Sequence, residues 1–465
     1  MSVTEVDRTL PSRTEPGAPD GRVAIIGGGA SGVLTAINLL ARSDDPNLEV
    51  VIFESSGIVG RGVAYGTNDQ RHLLNVRARH MSAFPDAPAD LLEWALRTGR
   101  SRDPQGFLPR ADYAVYLQDR LRDVADDRLV VRAGRVVDIE PRPSGFEVRT
   151  ERTATLASQV VLAYGNLPPR ALQAGGAVLP ERAWHLPNPW DLGRLRTLPA
   201  DAHVLIVGSG LTAVDTTITL LEEGPNRHVT LVSRHGILPR AHVAQQHVAW
   251  VTKVPPSPVT AEALAQTFAA EIEAARAQDV NWRAVVDGLR PATQELWQAM
   301  SLQERRRFLA VYARHWEVRR HRMARGVADR IEGYHADGRF QVRTGTLLEV
   351  REVDDEVRVL LAEATEPVRA HAVINCTGPL ADVSRSQNPL LQALNGRGLI
   401  GPDPLALGLD TTVDGEVIGT DGTVTSGMFA VGPPRKGVLY ESTAIPEIRG
   451  QAAQVAHLVL TGQTN

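Results

Sequence analysis

Two glycine-rich turns carry the residues whose type and spacing are best suited to chemistry. The first follows a short apolar run ending at Ile26 and precedes a helical pattern. A strand, a G-x-G-x-x-G turn and a helix bind pyrophosphate, because the glycines let the backbone approach the phosphates and the helix N-terminus stabilises their charge. A carboxylate ending the next strand can bind ribose hydroxyls. This pattern predicts a site for FAD or NAD, formed by Gly27, Gly29, Ala30, Ser31, Gly32 and Glu54.

The second turn, residues 208–213, repeats this layout in the other half of the chain. The strand that follows it ends at Ser233-Arg234, without a carboxylate. A guanidinium at that position favours a 2′-phosphate, which a carboxylate would repel. The alternative is a solvated charge at the end of a strand. We interpret the second turn as an NADPH site, formed by Gly208, Gly210, Thr212 and Arg234.

The two units have more in common than their turns. Each closes with an apolar strand that runs into a glycine, at residues 160–165 and 372–378. An internal duplication of this size indicates two large α/β units rather than a short-period repeat. We therefore predict an α/β protein with two Rossmann-like dinucleotide-binding domains and a helical insertion.

The insertion is predicted from the periodicity of residues 258–330. Leu264, Phe268 and Ile272 form one helical stripe, Ser301 begins a capping box, and Gly326 is suited to a helix end. Residues 304–325 also contain eight arginines. We interpret these as a solvated helix face first, as a site for an anionic substrate or for the NADPH phosphate second, and as a nucleic-acid surface last.

Composition excludes several classes of function. The 465 residues are 43% hydrophobic and 22% charged with a net charge of −4, which is typical of a folded protein without a field that attracts nucleic acid or membrane. No stretch is suited to a signal peptide or a membrane span, so a cytoplasmic location is expected. The histidines lack the spacing of metal ligands, and no metal site is predicted.

The cysteine count limits the redox chemistry. Cys376 is the one cysteine, which excludes an intramolecular disulfide and a Cys-x-x-Cys relay. Two different dinucleotide sites imply that electrons pass from a nicotinamide to a flavin. Since the chain holds no dithiol, the acceptor is expected to be molecular oxygen, a small molecule or another protein.

Several longer motifs point to a known family. They are residues 60–66 (GRGVAYG), 72–76 (HLLNV), 184–191 (WHLPNPWD), 375–379 (NCTGP) and 440–451 (YESTAIPEIRGQ). In these motifs the chain resembles the FAD/NAD(P)-binding flavoproteins with two Rossmann-type domains. These are similar to class B flavin monooxygenases, and their relatives include amino-acid N-hydroxylases. The resemblance runs from about Val23 to Leu460.

The resemblance implies FAD and NADPH as cofactors and assigns roles to further residues. Asn75 would hydrogen-bond the flavin and is the candidate catalytic residue. The sequence departs from the family at Tyr164 and Pro433, where threonine and aspartate are commoner. The remaining cofactor-binding residues that the resemblance implies are Gly62, Leu74, Gly165, Gly378, Gly432 and Ile445, the last beginning a helix whose positive end would face the flavin.

These observations define a domain plan. We expect a disordered arm at 1–20, an FAD-binding domain made of 21–170 and 376–465, and an NAD(P)H-binding domain at 200–375 that contains the insertion 258–330. The favoured function is NADPH-dependent monooxygenation of a small-molecule substrate, such as N-hydroxylation of an amine or amino acid. The alternatives are an FAD-dependent NAD(P)H reductase that passes electrons to another acceptor, and a non-catalytic dinucleotide-binding module.

Overall fold

The structure is a computed structural model that describes residues 21–244, 247–354, 356–362 and 364–462. The arm predicted for residues 1–20 lies outside the described residues. None of the helices in the described ranges is long and apolar enough to span a bilayer.

The strands are distributed over the whole described chain. Those of the first half are β1 (Arg22–Ile26), β2 (Glu49–Glu54), β3 (Leu129–Ala133), β4 (Val136–Arg142), β5 (Gly145–Thr150), β6 (Ala154–Ala157), β7 (Gln159–Leu162), β8 (Gln173–Ala174), β9 (Ala177–Val178), β10 (His185–Leu186), β11 (His203–Val207) and β12 (His228–Ser233). Those of the second half are β13 (Phe340–Thr344), β14 (Leu347–Val353), β15 (Glu356–Leu361), β16 (Val368–Ala370), β17 (Ala372–Asn375), β18 (Glu416–Ile418) and β19 (Val424–Ala430).

The α-helices flank these strands and fill the segment between β12 and β13. They are α1 (Ala30–Arg42), α2 (Gly62–Tyr65), α3 (Asp90–Arg97), α4 (Arg110–Val124), α5 (Leu192–Arg196), α6 (Leu211–Glu223), α7 (Ala261–Arg276), α8 (Trp282–Leu289), α9 (Thr293–Ala299), α10 (Leu302–Val311), α11 (Ala313–Arg320), α12 (Arg325–Ala336), α13 (Pro389–Gly396), α14 (Lys436–Leu439) and α15 (Ile445–Thr461).

The first large sheet combines the two ends of the chain. Its strand order is β18-β19-β7-β1-β2-β3, and every pair is parallel except β18 with β19. The central strands are apolar on both faces because helices or a second layer cover each side. Helix α1 packs between this sheet, α4 and α15, and ten of its thirteen residues are buried.

The second large sheet repeats the arrangement. Its five strands are all parallel in the order β10-β17-β11-β12-β13. In both sheets the strand before the glycine turn pairs with the strand that closes the unit, β1 with β7 and β11 with β17. The predicted α/β class with two Rossmann-like units is confirmed, and the small antiparallel sheets β4-β5-β6 and β14-β15-β16 attach one to each.

The segment between β12 and β13 contains α7 to α12. Ser301 accepts a hydrogen bond from the Glu304 amide, as a helix cap should, but the Glu304 side chain accepts from the Ala261 amide instead of closing the box. The prediction of a helix end at Gly326 is wrong. Gly326 lies in the first turn of α12, because Ala324 and the preceding loop, not the glycine, set the boundary there.

A buried polar cluster joins the two units. The imidazole of His72 lies between two hydroxyls, with Nδ1 2.9 Å from Thr67 Oγ1 and Nε2 2.8 Å from Thr219 Oγ1. Thr219 on α6 donates to Asp69 Oδ2 at 2.8 Å. Since the Thr219 hydroxyl donates its hydrogen to Asp69, it must accept a hydrogen from Nε2 of His72. The imidazole therefore carries its hydrogen on Nε2, and its Nδ1 accepts from the Thr67 hydroxyl.

Charged contacts extend this cluster. Arg71 forms ion pairs with Asp69 at 2.7 Å and with Glu223 on α6 at 2.6 Å, and Arg110 at the start of α4 lies 3.2 Å from Asp215. Burial lowers the pKa of His72, opposed by the charges of Asp215 and Asp69. Burial would raise the pKa of Asp69, but the hydrogen bonds of Arg71 and Thr219 keep it below the usual value. The folded protein therefore holds a neutral imidazole beside the charged carboxylate of Asp69, while burial raises the pKa of Asp215.

Replacing this histidine tests the cluster. Because the folded pKa of His72 is lowered, the unfolded chain binds more protons below about pH 6.5, and stability falls as the pH falls. In His72→Gln the loss of unfolding free energy between about pH 7 and about pH 5 should shrink by about 1–2 kcal/mol, measured by urea unfolding. His457→Gln, at an exposed position, is the matched control. An unchanged pH dependence in His72→Gln would contradict the buried neutral imidazole.

Candidate dinucleotide-binding site

The first glycine turn brings the backbone of β1 against that of β7. Gly27 has a φ of +109° and donates its N–H to Phe53 at 2.9 Å. A Cβ at Gly27 would lie 2.6 Å from the Ala163 carbonyl oxygen, and one at Gly32 would collide with the Gly27 carbonyl. Both positions therefore require glycine to bring helix and strands this close.

The N-terminus of α1 is open to an anion. Its first turn holds no acidic residue, and Gly29 at the N-cap offers no side chain to satisfy the free N–H groups. Glu54, at the end of β2, accepts from the Gly28 amide through Oε2 at 2.9 Å and from the Ser56 amide through Oε1 at 3.0 Å. The hydroxyls of Ser55 and Ser56 also donate to Oε1, at 3.3 and 3.0 Å, so the acceptor site that remains for a ribose hydroxyl is on Oε2. The residues present fit a dinucleotide with a pyrophosphate group.

A cavity of about 960 Å³ lies in front of this turn, which we call the first cavity. That volume is at the upper end of the range for small-molecule sites. Of the residues predicted from the sequence, those that line it are Gly27, Gly29, Ala30, Ser31, Glu54, Gly62, Gly165 and Ile445.

The second turn has the same geometry. Gly208 has a φ of +117°, and a Cβ there would collide with the Cys376 carbonyl on the neighbouring strand end. A Cβ at Gly210, in contrast, would meet no atom within 4 Å. Helix α6 begins just after Gly210, again without a side-chain cap or an acidic residue in its first turn. This open space in front of an uncapped helix suits a second pyrophosphate.

A second cavity, of about 1140 Å³, opens at this turn. Arg234 and His235 line it from the end of β12, and Arg314 reaches it from α11. Of the predicted residues, those that line it are Gly165, Gly208, Gly210, Thr212, Arg234 and Gly378.

Arg314 is a site residue that the sequence did not single out. Its Nη2 donates to Ser209 Oγ at 2.7 Å, inside the glycine turn. Burial lowers the pKa of Arg314, opposed by the charge of Glu317. Arg234 lines the same cavity from the end of β12. Two arginines in the wall of one cavity, beside an uncapped helix, are suited to a phosphate. In the sequence Arg314 was one of eight similar arginines, and only the tertiary packing separates it from them.

The two cavities share part of their walls. The shared residues come from the ends of both large sheets and from the segment before α15, and they include Tyr164, Gly165, Leu380, Arg385, Pro433 and Thr443. The Tyr164 hydroxyl is buried without a hydrogen-bond partner among the described residues, and burial raises its pKa. A buried donor without a partner at the meeting point of two cavities is available to a ligand.

Four predicted residues line neither cavity. Leu74 is 1% exposed and belongs to the core beside α1, and Gly32 packs under the first turn. Gly432 donates its N–H to Gln451 at 2.8 Å, behind Pro433. Asn75, the candidate catalytic residue, is half-buried, and its carbonyl oxygen lies 3.0 Å from His242 Nε2. Its side chain forms no hydrogen bond with another residue that the structure describes, and its catalytic role stays a prediction.

Cys376 lines the second cavity but is only 4% exposed. Burial raises the pKa of its thiol to about 12, partly offset by Thr216, whose hydroxyl lies 3.6 Å from the sulfur. A thiol with so little thiolate at neutral pH is a poor nucleophile. In the described part of the chain, no group of three or more His, Cys, Asp or Glu side chains is arranged to hold a metal ion.

Comparison with known proteins agrees with this arrangement. Residues 24–167 match the family model described as FAD-NAD(P)-binding, which confirms the predicted resemblance and class of cofactor. No curated protein sequence matches the chain.

Several solved structures share the fold over nearly the whole length. The ornithine N-hydroxylase of Kutzneria sp. 744 has a TM-score of 0.64 at 14% identity, covering 97% of this chain and 100% of that one. The L-lysine 6-monooxygenase of Pseudomonas syringae has a TM-score of 0.63 at 17% identity, with coverages of 95% and 99%. The bacillithiol disulfide reductase of Staphylococcus aureus has a TM-score of 0.55 at 12% identity, with coverages of 96% and 99%.

The two glycines of the second turn should respond differently to the same change. Gly210→Ala places a methyl group in open space, so it should cost about 1 kcal/mol of stability or less but weaken NADPH binding about tenfold by occupying the cradle. Gly208→Ala, which forces a collision and an unfavourable φ, should destabilise the fold itself. Thermal unfolding and calorimetric NADPH titration separate the two effects. Tight NADPH binding by a stable Gly210→Ala protein would contradict the assignment.

Proposed function

We propose that the protein is an NADPH-dependent FAD monooxygenase that transfers one oxygen atom to the nitrogen of a small amine. The observation that carries this proposal is the shared wall of the two cavities, at Tyr164, Gly165 and Thr443. A flavin extending from the first turn and a nicotinamide extending from the second would meet there. Hydride transfer requires such a meeting, since reacting atoms must come within about 3–3.5 Å.

In this proposal the chain's own residues bind and orient the two dinucleotides. The N-termini of α1 and α6 stabilise the two pyrophosphates, Glu54 holds the ribose of FAD, and Arg234 with Arg314 holds the 2′-phosphate of NADPH. The first turn of α15, with Ile445 in the wall of the first cavity, directs a positive dipole toward the flavin. When bound, FAD would provide the chemistry that activates molecular oxygen. The protein orients the two dinucleotides and excludes water from their meeting point.

The reaction balances with the cofactors named. NADPH supplies two electrons as a hydride, and the solvent supplies a proton. One atom of O₂ enters a new N–O bond on the amine, and the other leaves as water. The products are a hydroxylamine, NADP⁺ and water. An amine substrate is supported by two proteins with this fold, which are described as an ornithine N-hydroxylase and a lysine 6-monooxygenase.

The coupling of NADPH consumption to product tests this function. The purified protein should bind FAD, oxidise NADPH, and add one oxygen atom to an amine, which mass spectrometry detects. The competing function, a reductase that passes electrons to another acceptor, predicts NADPH oxidation by an added quinone or dye. It predicts no oxygenated amine and only hydrogen peroxide in air. A protein that remains colourless with added FAD would exclude both.

Replacing Cys376 tests whether electrons pass through a thiol. A disulfide reductase with this fold is known, but here the thiol is buried with a pKa of about 12. We expect Cys376→Ala to keep at least about half of the NADPH-dependent activity, since the thiolate is too scarce to react. The assay follows NADPH absorbance with and without a low-molecular-weight disulfide. Loss of activity in a stable variant would instead indicate thiol chemistry.

Replacing Arg234 tests the nicotinamide preference. Loss of one charge-assisted contact to a phosphate costs about 1.5–3 kcal/mol, so Arg234→Ala should raise the KM for NADPH about tenfold or more while changing that for NADH little. Arg358→Ala, at an exposed position on β15, is the matched control. Equal effects on the two nucleotides would refute the contact between Arg234 and the 2′-phosphate.

A further inference from the structure

The helical segment contains a third cavity, which we call the aromatic cavity. Its volume is about 260 Å³, and it lies between α7 and the helices α8 to α11. An engineered dry cavity of roughly 150 Å³ already binds benzene, so this one has room for a substituted ring. Among the described residues that line it, His315 also lines the second cavity and none lines the first. It is therefore a site apart from the two dinucleotides.

The walls of the aromatic cavity are mostly apolar. Leu264, Phe268 and Ile272 do lie on one face of α7 as predicted, but all three are only partly buried and line the cavity. Well-packed cores leave few voids larger than a water molecule. The face of α7 therefore borders a space that an apolar group can fill. The aromatic residues in the wall are Phe268, Trp297, Phe308, Tyr312, Trp316 and Tyr440.

Two hydrogen-bond donors in this wall have no partner. Trp316 Nε1 and the Tyr440 hydroxyl are buried without a hydrogen bond to any residue that the structure describes. The two residues are only 9% and 6% exposed. Native proteins rarely leave buried polar atoms unpaired, and an indole N–H can only donate. A ligand that completes this wall must therefore carry a hydrogen-bond acceptor.

The rings that carry these donors are fixed by their neighbours. Trp316 meets Phe268 edge to face with ring centroids 5.8 Å apart, and Tyr440 stacks on Trp297 at 4.7 Å. Tyr440 also has a φ of +58°, a region that residues other than glycine seldom adopt. Such strain persists where the surrounding structure holds the residue in place, as it does at binding sites. Both donors are therefore held in the wall of the aromatic cavity.

The charge of the wall favours an anion. Arg319 lines the aromatic cavity three residues beyond Trp316 on α11, so the two side chains share a face of that helix. Among the described residues, no Asp or Glu lines the cavity, and Arg319 has no ion-pair partner; its Nη1 donates to the His315 carbonyl at 3.0 Å. Glu317, the one acidic residue of α11, lies 3.7 Å from Lys436 instead. A half-buried guanidinium without a counter-ion is suited to a carboxylate.

We propose that the aromatic cavity is a binding site for an aromatic carboxylate. The ring would occupy the apolar space beside α7, and the carboxylate would accept hydrogen bonds from Trp316 Nε1 and from Arg319. The Tyr440 hydroxyl supplies a further donor in the same wall. An amine of the same shape would be repelled by Arg319 and would meet no carboxylate among the described lining residues. This site goes beyond the proposed monooxygenase function and does not depend on it.

Calorimetry on the full chain tests the class of ligand. The probes are phenylacetate, phenylacetamide with the same shape and no charge, 2-phenylethylamine with the opposite charge, and acetate without a ring. We expect phenylacetate to bind at least about tenfold more tightly than each of the others. Equal binding of phenylacetamide or 2-phenylethylamine would refute the role of charge, and equal binding of acetate would refute the role of the ring. Any of these results, or no binding of phenylacetate, overturns the proposal.

Replacing Arg319 tests the carboxylate contact. Arg319→Gln should weaken phenylacetate about tenfold and leave phenylacetamide unchanged, because only the carboxylate uses the positive charge. Arg306→Gln is the matched control, since Arg306 is exposed on α10 and does not line the aromatic cavity. Equal affinities of the two variants for phenylacetate would overturn the proposal.

A pair of variants on α7 tests where the ring lies. Ala265 lines the aromatic cavity, whereas Ala270 is exposed on the same helix and does not line it. Ala265→Trp should fill the space and weaken both phenylacetate and phenylacetamide about tenfold, and Ala270→Trp should change neither. Thermal unfolding shows whether both variants fold. Equal phenylacetate binding by two folded variants would place the ring elsewhere and overturn the proposal.

Competition with NADP⁺ distinguishes the aromatic cavity from the second cavity, whose wall also contains arginines. Because the two cavities have only His315 in common among the described lining residues, saturating NADP⁺ should change the affinity for phenylacetate by less than about twofold. Competitive displacement of phenylacetate by NADP⁺ would place the carboxylate in the second cavity and overturn the proposal.

Discussion

The close approach of three backbones at each glycine turn is the constraint on which both cavities depend. At Gly27 the chain leaving β1 passes so near the carbonyl of Ala163 that a Cβ does not fit, and Gly208 repeats this against Cys376. Because the closing strand is held there, the loops that follow it, at Gly165 and Gly378, begin beside the helix N-termini. The same glycine therefore sets both the phosphate cradle and the adjoining wall of the cavity.

A second constraint fixes how the two cradles face each other. Asp69, Arg71 and His72 belong to the first unit, and their partners Asp215, Thr219 and Glu223 all lie on α6 of the second. Since α6 begins at the second glycine turn, this cluster couples the position of that turn to the first unit. Buried charges are costly unless paired, so a rotation that separated the units would expose or unpair several of them.

The sequence predicted the parts that follow from local geometry. The strand, turn and helix around Gly27 and Gly208 have strong local signals, and both turns form as expected. It missed Arg314 because helix periodicity places an arginine on a face but does not say which loop that face meets. It likewise could not place Asn75 or Gly432, whose neighbours His242 and Gln451 are distant in the chain. Contacts of this kind depend on tertiary packing, between the units for Asn75 and within the first unit for Gly432.

The helical segment illustrates the difference between a periodic pattern and a packed core. The stripe on α7 is as regular as that of a core helix, yet the aromatic rings facing it are too few to fill the space. Tyr440, from the segment before α15, forms part of the wall of this cavity and contacts the rings of Trp297 and Phe308. The shape of the cavity in the helical segment therefore depends on the residues just before α15, and Ile445 at the start of α15 lines the first cavity. Since Thr443 and Ile445, in the wall of the first cavity, follow Tyr440 closely in the chain, the packing of this ring ties the helical segment to the first dinucleotide site.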